Sequence, residues 1–147
     1  MKIRIVTDSG SDLSDEETSK LGISIVPLSI RFGEEELIDR VELGADEFYE
    51  RMNSSEDVPQ TAAPSPGAFK TAFEECFEQG AETVICINMS SELSATIQAA
   101  EAGARELGDK DIRIFDSKSV TGGLGTMVLK AAEASQAITQ LMKYLHF

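Results

Sequence analysis

One histidine, His146, and two cysteines, Cys76 and Cys86, stand in a chain of 147 residues. A serine–histidine–aspartate hydrolase needs a base beside its nucleophile, and His146, at the end of the sequence, reads as a solvated tail residue. Cys76 falls on the apolar side of a predicted helix and Cys86 inside a predicted strand, so both read as buried free thiols. A disulfide framework or a zinc site would need more ligands at closer spacing. Cations are scarce: 13 Lys and Arg face 26 Asp and Glu, a formal net charge of −13. That balance excludes a nucleic-acid partner, whose binding is mostly phosphate neutralisation, and argues against an anionic membrane surface. No apolar run reaches the length of a membrane span, and the opening MKIRIVTDSG lacks the apolar core of a signal peptide, so a cytoplasmic location is expected. There is no GxxxxGK[ST] loop. Gly122-Gly123-Leu124-Gly125 has the wrong spacing for a dinucleotide fingerprint and reads as glycines allowing close packing at a helix start.

What is present patterns as alternating strands and helices. The apolar share of 41% suits one packed domain. Strands are predicted at residues 3–7, 23–30, 83–88 and 111–115, with a short hairpin strand at 34–38. Pro27 interrupts the second run and belongs at an edge or a bulge. Ser14 with Glu17 forms a capping box for a helix that Gly22 ends. Residues 44–52 are a helix with Phe48 and Met52 on one face. Residues 53–66 read as irregular, and Ser65-Pro66 starts a helix that buries Phe69, Phe73, Cys76 and Phe77. Further helices are predicted at 94–107 and from residue 124 onward. The sum is a layered α/β/α domain with a mainly parallel sheet, whose central strand is the nearly all-apolar TVICIN at 83–88.

Hydroxyl-rich loops follow several of the strands: DSGSDLS from Asp8, NMSSELSAT from Asn88 and DSKSVTGGLG from Asp116, while TAAPSPG from Thr61 leads into the helix at Ala68. Strand ends of an open parallel sheet face one crevice, and helix N-termini there offer unpaired N–H donors to a small anionic or polar group. Asp8, Asp12 and Asp116 stand at these ends. Asx-turns are the favoured reading for Asp8 and Asp116, and a magnesium site for phosphoryl chemistry is the alternative. Ser90 and Ser91 read as caps of the helix that follows.

In this order, TDSGSDL, PLSI, TAAPSP, SSELSAT and DSKSVTGGLG resemble the DegV family over residues 1 to about 134. The resemblance implies a fatty-acid-binding protein without catalysis of its own or a cofactor. It presents the carboxylate of a long-chain fatty acid to a separate fatty acid kinase. The two family positions that hold the carboxylate correspond to Thr61 and Ser94, and Ser9, Ser91 and Gly123 complete the candidate ligand set. Ala62 and Ala63 depart from the family's Ser and Gln, and Ala95 from its Gly. Family members are about twice as long, and their second domain closes over the acyl chain. The expectation is therefore a DegV-like N-terminal domain at 1–134 and a helical extension at 135–147, with the second domain absent.

Apolar residues from Leu124 to Leu145 recur at helical spacing over about 30 Å, at ~1.5 Å per residue, with Ser135 the weak point. Such a helix either folds back at residues 134–136 or is covered by another copy of the chain, giving a homodimer. Two alternatives stand beside the lipid carrier: a truncated interaction module without ligand, and a metal-dependent phosphoryl-transfer enzyme using Asp8, Asp12 and Asp116.

Overall fold

A computed structural model describes residues 1–145; His146 lies outside them. A four-stranded parallel sheet has the order β2 (Ser24–Val26), β1 (Ile3–Asp8), β6 (Thr83–Asn88), β7 (Asp111–Asp116). A second, antiparallel sheet has the order β4 (Glu35–Ile38), β3 (Ser29–Phe32), β5 (Gln60–Ala62). The helices are α1 (Asp15–Leu21), α2 (Ala45–Ser54), α3 (Pro66–Glu78), α4 (Thr96–Arg105) and α5 (Thr121–Tyr144).

The two interior strands, β1 and β6, pair with Val6 beside Cys86. Because successive strand residues point to opposite faces, the apolar runs of β1 and β6 divide between two cores. Val6, Val84 and Cys86 meet Phe69, Phe73 and Cys76 of α3 on one side. On the other, Ile5 and Ile87 meet Leu13 and Ile23, together with Leu124 and Val128 of α5. This is the three-layer α/β/α arrangement expected from the sequence. A third cluster, Ile30, Phe32 and Leu43 with Phe48 against it, packs α2 on the small sheet.

Local signals explain most boundaries. Ser14 Oγ accepts from Glu17 N at 3.1 Å while Glu17 Oε2 accepts from Ser14 N at 2.9 Å, and Gly22 closes α1 at φ 63°. Ser65 Oγ accepts from Ala68 N at 3.1 Å, with Pro66 in the first turn of α3.

Several expectations are corrected. The run 23–30 is two strands in different sheets. Pro27 has no N–H to give, and Leu28 N donates to Ser9 Oγ at 3.0 Å instead of to a ladder. Residues 53–66 are not wholly irregular, because β5 adds to β3 there. Phe77 is only partly buried. Helix α4 begins at Thr96, not residue 94. Helix α5 does not fold back at 134–136. It runs on through alanine-rich sequence, and Ser135 Oγ donates to Ala132 O at 2.8 Å, an in-helix contact that keeps the hydroxyl satisfied. Its second half leaves Ile138, Leu141, Tyr144 and Leu145 exposed.

Candidate functional site

The chain leaves β1 for β2 on one side and returns as β6 on the other, so the strand order reverses between β1 and β6. Crevices form at such points, outside the C-terminal strand ends. Here Asp8 ties the two strands together. Its Oδ2 accepts from Asn88 Nδ2 at 3.0 Å and from Met89 N at 2.9 Å, and its Oδ1 accepts from Gly10 N at 2.9 Å. The expected Asx-turn is present. Burial pushes the Asp8 carboxyl above its ordinary value, against the pull of these donors.

From that junction a cavity of about 540 Å³ opens toward the small sheet. Ser9, Leu13, Ile30, Phe48, Tyr49 and Thr61 are among the residues that line it. Thr61 is opposite Ile30 in the β3–β5 register, which puts both side chains on one face. Thr61 therefore stands on a strand rather than in a loop before a helix. Its hydroxyl makes no hydrogen bond among the described residues, and the residue is exposed. Ser9 is 3% exposed and its hydroxyl holds Leu28 N.

The cavity also carries charge, from Asp12 and from Arg40, the latter without a sign in the sequence. Arg40 and Asp12 line it, both at positive φ, 67° and 52°. Arg40 Nη2 sits 2.6 Å from Asp15 Oδ1, a carboxylate whose own side chain is 97% exposed. Burial and the nearby charge of Asp39 raise the Asp12 carboxyl, with Arg40 opposing. In the sequence Arg40 lies within the charged stretch DRVELG at 39–44, which has the look of solvated surface.

The other three candidates do not line this cavity. Ser94 Oγ lies 2.8 Å from Thr96 Oγ1 and accepts from Thr96 N at 3.2 Å. Ser91 Oγ donates to Asp116 Oδ2 at 2.5 Å, so it does not cap α4; Ser90 Oγ accepts from Glu92 N at 3.3 Å and does not either. The N-cap position is Ala95, without a side-chain bond. Gly123 packs so closely on the Ser119 hydroxyl that a Cβ would not fit, and Gly125 approaches the backbone oxygen of Ser11, where a Cβ would come within 2.6 Å. Gly123 and Gly125 thus serve close packing, as read from the sequence, whereas Gly122 meets nothing within 4 Å.

Asp116 also forms an Asx-turn, accepting from Lys118 N at 2.9 Å. The Ser91 hydroxyl, then the Lys118 amide and ammonium, hold its carboxyl well below the usual range. Among the described residues, no three His, Cys, Asp or Glu side chains converge as a metal site would require.

The geometry is that of known proteins. The DegV family, described as uncharacterised proteins, has a sequence model that matches residues 2–141. A DegV domain-containing protein of Clostridium perfringens is 42% identical over 131 residues, covering 89% of this chain and 47% of its own. The structure of DegV from Bacillus subtilis, a fatty acid binding protein, superposes with a TM-score of 0.87 at 31% identity, over 93% of this chain and 48% of that one. A stearic-acid-binding protein from Eubacterium ventriosum gives 0.83 at 30% identity, over 92% and 48%. The chain spans about half the length of the curated relatives it matches. With its three-layer fold, its strand-end hydroxyl loops and a match across nearly its whole length, the chain belongs to the DegV family.

Proposed function

We propose that the chain is the head-group-binding part of a long-chain fatty-acid-binding protein. The observation that carries this is the cavity joining the hydroxyls of Ser9 and Thr61 to the apolar side chains of Leu13, Ile30 and Phe48, with Asp12, Asp15, Asp39 and Arg40 along its remaining edge. Support comes from relatives of the same fold that bind stearic acid, in Eubacterium ventriosum, and vaccenic acid, in Ruminococcus gnavus. The free Thr61 hydroxyl is the first donor to the carboxylate. Ser94, which lies outside the lining of this cavity, is the second donor by its place in the family's motif and exchanges its Thr96 partner for the ligand, while Ser9, Ser91 and Gly123 shape the loops. Arg40 is neutralised by Asp15 and is not the head-group donor.

A sixteen-carbon tail carries on the order of 12 kcal/mol of transfer free energy, at ~0.8 kcal/mol per CH₂. The cavity alone offers few apolar walls, so the tail needs further cover. The exposed residues Ile138 and Leu141 of α5, with Leu145 just past its end, supply an apolar surface for it, in a homodimer. In this reading residues 1–134 form the body and 135–147 an extension. The protein is a cytoplasmic carrier without an activity of its own, which presents the acid to a fatty acid kinase. The closed hydrogen bonding of Ser94 favours a second reading, an interaction module that has lost its ligand.

Organic extraction of the purified protein followed by mass spectrometry separates the two. Co-purifying C16–C18 acids, depleted in Thr61→Ala and Ser94→Ala, support the carrier. Lipid-free protein that takes up neither palmitate nor oleate leaves the module.

A further inference from the structure

A second cavity lies at the opposite end of the parallel sheet. About 510 Å³ in volume, it is enclosed by the start of β1, the C-terminal turn of α1 and the second half of α5. Lys2, Arg4, Lys20 and Lys143 line it, and among the described residues no carboxylate does. Such a grouping is unexpected in a chain with 26 acidic and 13 basic residues. Elsewhere, Arg40, Arg51, Lys70, Arg113, Lys118 and Lys130 each sit on a carboxylate, while Arg31 donates to Gln60, Lys110 lies over the Phe77 ring, and Arg105 stands apart from any carboxylate among the described residues. Among the described residues Arg4, Lys20 and Lys143 form no salt bridge, and the Lys2 ammonium donates to Gln79 O at 2.6 Å.

Arg4 adds an independent sign. Its Nε is buried and has no hydrogen-bond partner. Its guanidinium lies against the backbone of Gly22, where an added Cβ would stand 3.6 Å from Nη1. A donor withdrawn from water without an acceptor is unfavourable until something supplies one. Gln136 and Gln140, one turn apart on α5, bring neutral amide donors to the same groove.

We infer that this groove binds a small anion carrying two or more phosphate groups. The net charge of −13 opposes any anion, so a ligand must engage several of the four cations at once to overcome it. A volume of about 510 Å³ falls in the range of small-molecule sites, roughly 300–1,000 Å³. Among the described residues no aromatic ring lines the groove, so recognition rests on the phosphates. The site is remote from the hydroxyl rim.

The test is calorimetric titration of the whole chain with inorganic pyrophosphate at fixed ionic strength. Sulfate and poly-glutamate are the competing probes. Lys20 and Lys143 are exposed, so Lys20→Gln and Lys143→Gln should fold; Lys130→Gln, which pairs with Glu133 outside the groove, makes the same change in net charge. Pyrophosphate should bind the parent and Lys130→Gln equally. It should bind each groove variant about tenfold more weakly, the loss of one contact to a charged group. Sulfate should bind more weakly than pyrophosphate. Absence of pyrophosphate binding, an equal loss in Lys130→Gln, or a preference for poly-glutamate would each overturn the inference.

Discussion

Substituting leucines at the two ends of α5 separates what this helix does for the fold from what it leaves open. Leu124 is fully buried among Ile5, Leu13, Ile23, Ile87 and Val128. Leu124→Ala removes the branched end of the side chain from a packed layer between helix and sheet. Both the lost transfer energy and the residual cavity count, so the cost is about 3 kcal/mol, within the ~2–5 kcal/mol span of such truncations. At ~2–4 °C per kcal/mol for a chain of this size, the melting temperature falls by roughly 10 °C. Leu141 is 55% exposed, and Leu141→Ala in a monomer changes stability by less than about 0.5 kcal/mol. Thermal unfolding followed by circular dichroism reads both. In a homodimer sealed along α5, Leu141→Ala would instead lower the melting temperature in a way that depends on protein concentration. Equal and small effects from both substitutions would refute the claim that the first half of α5 is the anchor.

Other consequences are as specific. Gly125→Ala sets a Cβ 2.6 Å from Ser11 O, a backbone atom that cannot turn aside, and should cost ~1–3 kcal/mol in urea unfolding. Gly122→Ala meets nothing within 4 Å and should stabilise by up to about 1 kcal/mol. Ser91→Ala removes the largest influence holding down the Asp116 carboxyl, so its carbon-13 titration should move up toward the ordinary 3.8. A carboxyl depressed in the folded state contributes stability that is full above its unfolded pKa and is lost as pH falls through the folded one; this acid sensitivity should shrink in the variant. Asp8, raised by burial, has the opposite sign: its protonation favours the fold as pH falls through its folded pKa. Cys76 and Cys86 are 1% and 0% exposed, and burial pushes the Cys86 thiol well up. Both should resist a thiol reagent in the native protein and react once it is unfolded.

The layers of the fold follow from local signals along the chain; pairing with distant partners decides the rest. Ser14 with Glu17, Ser65 with Pro66, and Gly22 each act within a few residues, and all three boundaries follow from them. The nearly all-apolar run TVICIN is legible because both faces of β6 are covered. By contrast, β5 is three exposed residues, Gln60 to Ala62, with no apolar pattern; it is a strand because β3 lies beside it. The split at Pro27 needed Ser9, nineteen positions away, to take up Leu28 N. At the candidate site, the loops were visible as hydroxyl clusters, but not the direction of each hydroxyl. Ser94 and Thr96, two apart, satisfy one another, and Ser91 reaches Asp116 on the neighbouring strand. Arg40 escaped notice because a left-handed residue in a charged turn carries no sign of the cavity wall it joins.

The head-group assignment is most directly tested by carbon-13 NMR of carboxyl-labelled palmitate added to the protein, its Thr61→Ala variant and an Arg40→Gln variant. If hydroxyl and amide donors hold the acid, the bound carboxyl signal is shifted from that of free palmitate in the parent, persists in Arg40→Gln and disappears in Thr61→Ala. A signal that survives loss of the Thr61 hydroxyl but vanishes with the Arg40 charge would contradict the account.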